Sequence, residues 1–97
     1  MPTYVSLLKW TEQGARNAKD ALNRNQQGRA MIEKVGGRLI GAWWTQGAYD
    51  TVVVAELPDD ETASALAIAL GMQGNVRTET MRAYGSEEMQ RIIQKLP

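Results

Sequence analysis

Tyr49 and Asp50, just past Gly47, are the first pair in this chain whose types suggest chemistry. An aspartate beside a phenol can orient it, or hold a polar ligand at the rim of a sheet. The competing reading is local. Gly47 tolerates the positive φ of a tight turn, and Asp50 accepts backbone N–H bonds beside it. Trp10, Trp43 and Trp44 form a second group, since aromatic walls suit flat organic ligands. Trp43 and Trp44 are neighbours in an alternating strand and face opposite ways, so one pocket cannot take both. Packing in a core or a dimer interface is the other role open to these rings. The third group is Arg77, Thr78, Glu79, Thr80 and Arg82. Arg77 and Glu79 share one strand face, and Thr78, Thr80 and Arg82 share the other. A guanidinium there suits a carboxylate ligand; a subunit salt bridge or a solvated edge strand would use the same residues.

Composition narrows the chemistry. The chain has 97 residues, no Cys and no His, which leaves no thiol nucleophile, no thiolate site and no imidazole base. No metal and no cofactor are expected. Haem and zinc lack their usual ligands. Gly71-Met72-Gln73-Gly74 lacks the ending of a phosphate loop and follows a helix. Basic and acidic residues balance at 11 each, without the strongly basic face that nucleic acid asks for. No membrane-spanning run is visible, so a soluble cytoplasmic protein is the expectation. Length and composition predict a single globular domain over residues 1–97.

The elements that must position these residues follow from periodicity. Thr3 to Trp10 alternates, with Tyr4, Ser6, Leu8 and Trp10 on one face and Thr3, Val5, Leu7 and Lys9 on the other. Both faces are largely apolar, which predicts a strand covered on both sides. Thr11 caps a helix from Glu12, with a break near Asn23-Arg24-Asn25 and a stop at Gly36. Its apolar stripes are Ala15, Ala18 and Leu22, then Met31, Ile32 and Val35. A hairpin spans Gly36 to Leu57, turning at Gln46–Tyr49. On its first strand Leu39, Gly41, Trp43 and Thr45 share a face. Acidic Asp59, Asp60 and Glu61 open an Ala-rich second helix. Asn75 to Tyr84 is the last strand. Ser86 caps a final helix whose stripe, Met89, Ile92, Ile93 and Leu96, is expected to be buried.

The order β-α-β-β-α-β-α is the ferredoxin-like βαββαβ arrangement with an extra C-terminal helix and a four-stranded antiparallel sheet, an α+β fold. Right-handed crossovers place both long helices on one sheet face and leave the other bare. A bare apolar face on so small a chain calls for a partner, and a second copy is the simplest one. The C-terminal helix folding back is the alternative cover.

Gly47-Ala48-Tyr49-Asp50, together with Gly74–Thr80 and Tyr4–Thr11, resembles the GYD domain family, which is named for a Gly-x-Tyr-Asp motif. The likeness spans roughly Thr3 to Leu96. It implies a bacterial-type protein of the dimeric α+β barrel kind, built on a ferredoxin-like protomer, and it supplies no reaction. Asn23 to Gly28 departs from the family's Pro-containing break in the first helix.

Two functions remain open. One is a homo-oligomeric module that binds a small ligand or another protein. The other is a cofactor-independent enzyme, such as a monooxygenase or isomerase, on a small aromatic substrate. A closed pocket with an acid beside a Trp would favour the second. The residues expected to line a ligand site are Trp10, Trp44, Tyr49, Asp50, Arg77, Thr78, Glu79 and Arg82. The site is expected between the bare sheet face, the last strand and a partner subunit. No catalytic residue can be assigned from the sequence.

Overall fold

The computed structural model describes residues Met1–Pro97. The chain runs β1 (Thr3–Trp10), α1 (Glu12–Arg16), a 3-10 turn (Ala18–Asp20), α2 (Ala21–Lys34), β2 (Arg38–Trp44), β3 (Thr51–Glu56), α3 (Asp60–Met72), β4 (Val76–Ala83) and α4 (Ser86–Gln94). The four strands form one antiparallel sheet in the order β2-β3-β1-β4, the ferredoxin-like pattern with α4 appended.

Short side-chain caps start the helices where the sequence places them. Thr11 Oγ1 accepts from Gly14 N at 3.1 Å, and Asp59 Oδ1 accepts from Thr62 N at 2.8 Å. The bond from the Thr62 N–H holds the Asp59 carboxyl below its ordinary range. Two local expectations are corrected. The first helix breaks at Asn17–Asp20 rather than at Asn23–Asn25. Arg24 lies inside α2 and reaches back, donating to Asn17 O at 2.8 Å and Gly14 O at 3.4 Å. It thereby satisfies carbonyls that the end of α1 leaves open, as a cation at a helix C-terminus does. At α4 the capping position belongs to Gly85, with no side-chain bond, and Ser86 is the first helical residue.

Strand pairing sorts the side chains between two faces. Tyr4 lies opposite Ala55, Ser6 opposite Val53 and Thr80, and Leu8 opposite Thr51, all on the helix-covered face. Val5 lies opposite Val54 and Met81, and Leu7 opposite Val52 and Glu79, on the open face. On β2 a register shift between Leu39 and Gly41 leaves Ile40 without a partner. This bulge moves Leu39 to the side of Ala42 and Trp44, not to that of Gly41 and Trp43 as strict alternation predicts.

The protomer's own core is thin. Only eight of 97 residues are buried, and the central cluster is Tyr4, Leu57 and Ala63, with Ile32 and Leu66 packed on it. Leu22, placed by periodicity on an apolar stripe, is 69% exposed. The α4 stripe is also uncovered: Met89, Ile93 and Leu96 are 46%, 53% and 66% exposed. The radius of gyration is 14.5 Å, with extents of 50 × 30 × 20 Å. A compact chain of this length would have about 12.5 Å. The molecule is therefore elongated, and two apolar surfaces find no partner within it.

Gly28 sits in the interior of α2, and a Cβ built on it meets nothing within 4 Å. Gly28→Ala therefore removes backbone entropy from the unfolded chain without a clash. It is expected to stabilise by about 0.5–1 kcal/mol, a rise in melting temperature of about 2–8 °C by circular dichroism.

Candidate functional site

The helices do not seal their face of the sheet. A cleft of about 130 Å³ remains between α2, α3 and the strands. Its floor is apolar, with Leu8, Trp10, Val53 and Val76, and α3 supplies Leu66, Ala67 and Leu70. The α2 side is mixed: Ala21, Arg24, Asn25, Gly28 and Arg29 line it, followed by Met31 and Ile32 toward the end of the helix. Over Ala21–Arg29 the helix turns mainly small and polar residues toward the sheet and does not fill the space above it. Of the 25 lining residues, Arg24 and Arg29 are cationic and none is a carboxylate. The Arg24 guanidinium lies 5.9 Å from the Trp10 ring centroid. Neither arginine belongs to any of the protein's three ion pairs. On the floor, Ser6 Oγ and Thr80 Oγ1 share a hydrogen bond of 2.8 Å.

Tyr4, 5% exposed, also lines the cleft and donates its phenol to Asp60 Oδ1 at 2.5 Å. Burial first, and the bond to Asp60 second, push this phenol up from 10.0 to about 12. The folded state thus favours the neutral phenol. Its contribution is full below pH 10 and is lost as the pH rises through about 12. The urea midpoint is expected to fall more steeply between pH 10 and pH 12 in the native protein than in Tyr4→Phe. Parallel slopes would show that the Tyr4–Asp60 bond carries no linkage.

The residues singled out by sequence do not form one cluster. Trp10 and Trp44 line the cleft together. Tyr49 and Asp50 lie in the connection before β3 and act as ties. Asp50 Oδ2 accepts from Trp10 N at 2.8 Å, and Asp50 N donates to Leu8 O at 2.9 Å, latching the turn to the end of β1. The local reading of Asp50 as an acceptor of backbone N–H bonds holds, although the donor belongs to β1 and not to the turn. Tyr49 reaches across β1 and donates its hydroxyl to Glu79 Oε2 on β4, which raises the phenol's pKa. Gly47, at φ +101°, gives the connection its bend. The Gly-x-Tyr-Asp motif is thus a clasp that holds the hairpin end to two strands.

Arg82 and Thr78 point to the helix side of β4, opposite Tyr4 and Leu8, but neither lines the cleft. Arg82 Nη2 pairs with Glu88 Oε2 at 2.6 Å, and the guanidinium lies 5.8 Å from the Tyr4 ring and 4.8 Å from the Tyr84 ring. This pairing lowers the Glu88 pKa and raises that of Arg82. Arg82 is therefore engaged in tethering α4. Arg77, opposite Lys9, lies on the open face. The cleft is on the other side of the sheet from the cavity that the sequence led us to expect. Helix cover alone predicts a filled face, and only the composition of α2's inner side reveals the gap. Gly28 and the arginines at positions 24 and 29 were the missed signal, polar and small where an amphipathic helix would carry apolar residues.

Fold and cleft together define a small ferredoxin-like α+β protein with an apolar recess and an open sheet face. The GYD domain model matches residues 4–93, and the chain belongs to that family. A curated relative from Thermus thermophilus is 30% identical over 84 residues, covering 86% of this chain and 88% of its own. That protein is named glutamine synthetase and cystathionine beta-lyase binding protein. The crystal structure of TTHA0845, also from Thermus thermophilus, shares the fold, with a TM-score of 0.55 at 24% identity over 89% of this chain and 96% of that one. No helix is long and apolar enough to cross a membrane.

Proposed function

We propose that the protein is a homodimeric binding module, in which two copies join through their open sheet faces and the assembly then holds another protein. The observation that carries this reading is the open face itself. Val5, Leu7, Val52, Val54 and Met81 form a continuous apolar band across three strands. Ile40 and Trp43 extend it at the edge, 49% and 54% exposed. A patch of this kind on so thin a protomer marks an interaction surface. Face-to-face pairing of two sheets closes an α+β barrel with two-fold symmetry, each copy presenting the same surface to the other.

The exposed stripe of α4 remains available beyond that contact as a surface for an unlike partner. The relative named for binding glutamine synthetase and cystathionine beta-lyase supports this second level of assembly. Those two enzymes are the first partners to test. Sedimentation velocity at micromolar concentration is expected to give twice the mass of the 10.7 kDa chain. Biolayer interferometry with each enzyme then reads the partner step. A monomer at that concentration would overturn the dimer. A dimer indifferent to both enzymes would overturn this choice of partners and leave the dimer standing.

A further inference from the structure

We infer that the cleft under α2 and α3 is a binding site for a small organic anion, one ring bearing a carboxylate. This goes beyond the protein-binding reading and does not depend on it. The argument rests on size, lining and charge.

Size comes first. An apolar cavity of about 150 Å³ takes a benzene ring. The 130 Å³ here, in a cleft open on one side, is of the same order and seats one ring. The lining matches such a guest. Trp10 and Trp44 offer aromatic surface, Leu8, Val53 and Leu70 offer aliphatic surface, and the Ser6–Thr80 pair places hydroxyls on the floor.

Charge sets the class. The lining carries two guanidinium groups and no carboxylate, so the recess is positive and unbalanced. Arg24 spends two of its N–H groups on Asn17 O and Gly14 O, which hold the head in place beside Trp10 and leave other N–H groups free. Arg29 makes no ion pair. A fixed guanidinium over an aromatic wall is a ready seat for a carboxylate whose ring lies against that wall.

The wall of α2 points the same way. Gly28 costs helix stability, yet the space beside it is empty, so no packing neighbour requires a glycine there. Its missing side chain keeps the recess open.

The probes are benzoate, phenylacetate and 4-hydroxyphenylacetate, with benzyl alcohol as the uncharged ring and acetate as the anion without a ring. Binding is followed on the full chain by isothermal titration and by the indole N–H resonances of Trp10 and Trp44. At least one ring acid is expected to bind with a dissociation constant below about 1 mM and to shift both resonances. Benzyl alcohol and acetate are expected to bind at least about tenfold more weakly, which corresponds to the loss of one favourable contact. Arg29→Gln is expected to weaken the ring acids by a similar factor with the fold intact. Gly28→Leu, which puts a side chain into the recess, is expected to abolish binding. If Gly28→Leu proves unstable, Arg29→Gln and the probe comparison decide. Indole resonances unmoved by every ring acid, equal affinity for benzyl alcohol, or full affinity in Gly28→Leu would each overturn the site. Dimer mass and enzyme binding are read separately, so failure here leaves the interaction module untouched.

Discussion

Gly14→Ala is expected to lower the melting temperature by about 4–24 °C. The new Cβ would stand 2.0 Å from Asn75 O and 2.9 Å from Asn75 C, both backbone atoms that cannot rotate away. Gly14 is buried where α1 presses on the segment leading into β4. Gln13 Nε2 donates across that joint to Gln73 O at 3.2 Å and Asn75 Oδ1 at 3.0 Å, and Thr11 sits at its centre. Thr11 N donates to Asn75 O at 3.0 Å, Thr11 Oγ1 donates to Gly74 O at 2.5 Å, and Gly14 N donates to Thr11 Oγ1 at 3.1 Å. Relieving the clash means lifting α1 from the sheet and breaking the bond from Thr11 N to Asn75 O. Overpacking of this kind costs about 1–3 kcal/mol, against a total of about 5–15 kcal/mol for a domain of this size. The check is a thermal melt of Gly14→Ala beside Gly28→Ala. The same chemical change should move the midpoint in opposite directions. A melting temperature for Gly14→Ala indistinguishable from the native value would mean that α1 shifts freely and the joint bears no weight.

Val54→Lys is expected to turn the proposed dimer into a monomer at micromolar concentration. Val54 stands mid-strand on the open face, between Val5 on β1 and Gly41 on β2. In the isolated protomer it is only half-buried, so an ammonium there can extend into water on its flexible stem. In a face-to-face dimer two such charges, one from each copy, would be buried without partners. A single uncompensated charge costs several kcal/mol, so a weakening of at least about 100-fold follows. Sedimentation equilibrium reads the mass, and the far-ultraviolet spectrum confirms that the fold survives. A variant that remains fully dimeric would place the interface elsewhere, with the α4 stripe the next surface to examine.

The sequence alone determined the element order, the sheet faces of β1, β3 and β4, and the Thr11 cap of the first helix. Those features depend on near neighbours: alternation of two in a strand, and a cap three residues from its donor. It also determined that Trp43 and Trp44 face opposite ways, since no bulge intervenes between them. What it could not carry were the features set by residues far apart in the chain. The bulge at Ile40 exists only relative to Val54 and Ala55 on the neighbouring strand. The break at Asn17 is stabilised by Arg24, seven residues on, reaching back to its carbonyl. The α4 stripe looked like core because amphipathic spacing says which residues share a face and not whether anything covers it. The nine glycines are identical in the sequence. Only tertiary structure set Gly14 against a carbonyl of Asn75 and Gly28 against empty space, because both outcomes depend on what another segment places beside the missing side chain. The same dependence moved the candidate site. Alternation had already put Arg77 and Arg82 on opposite faces of β4, but only the structure pairs Arg82 with Glu88 and opens the recess where Arg24, Gly28 and Arg29 of α2 meet the sheet.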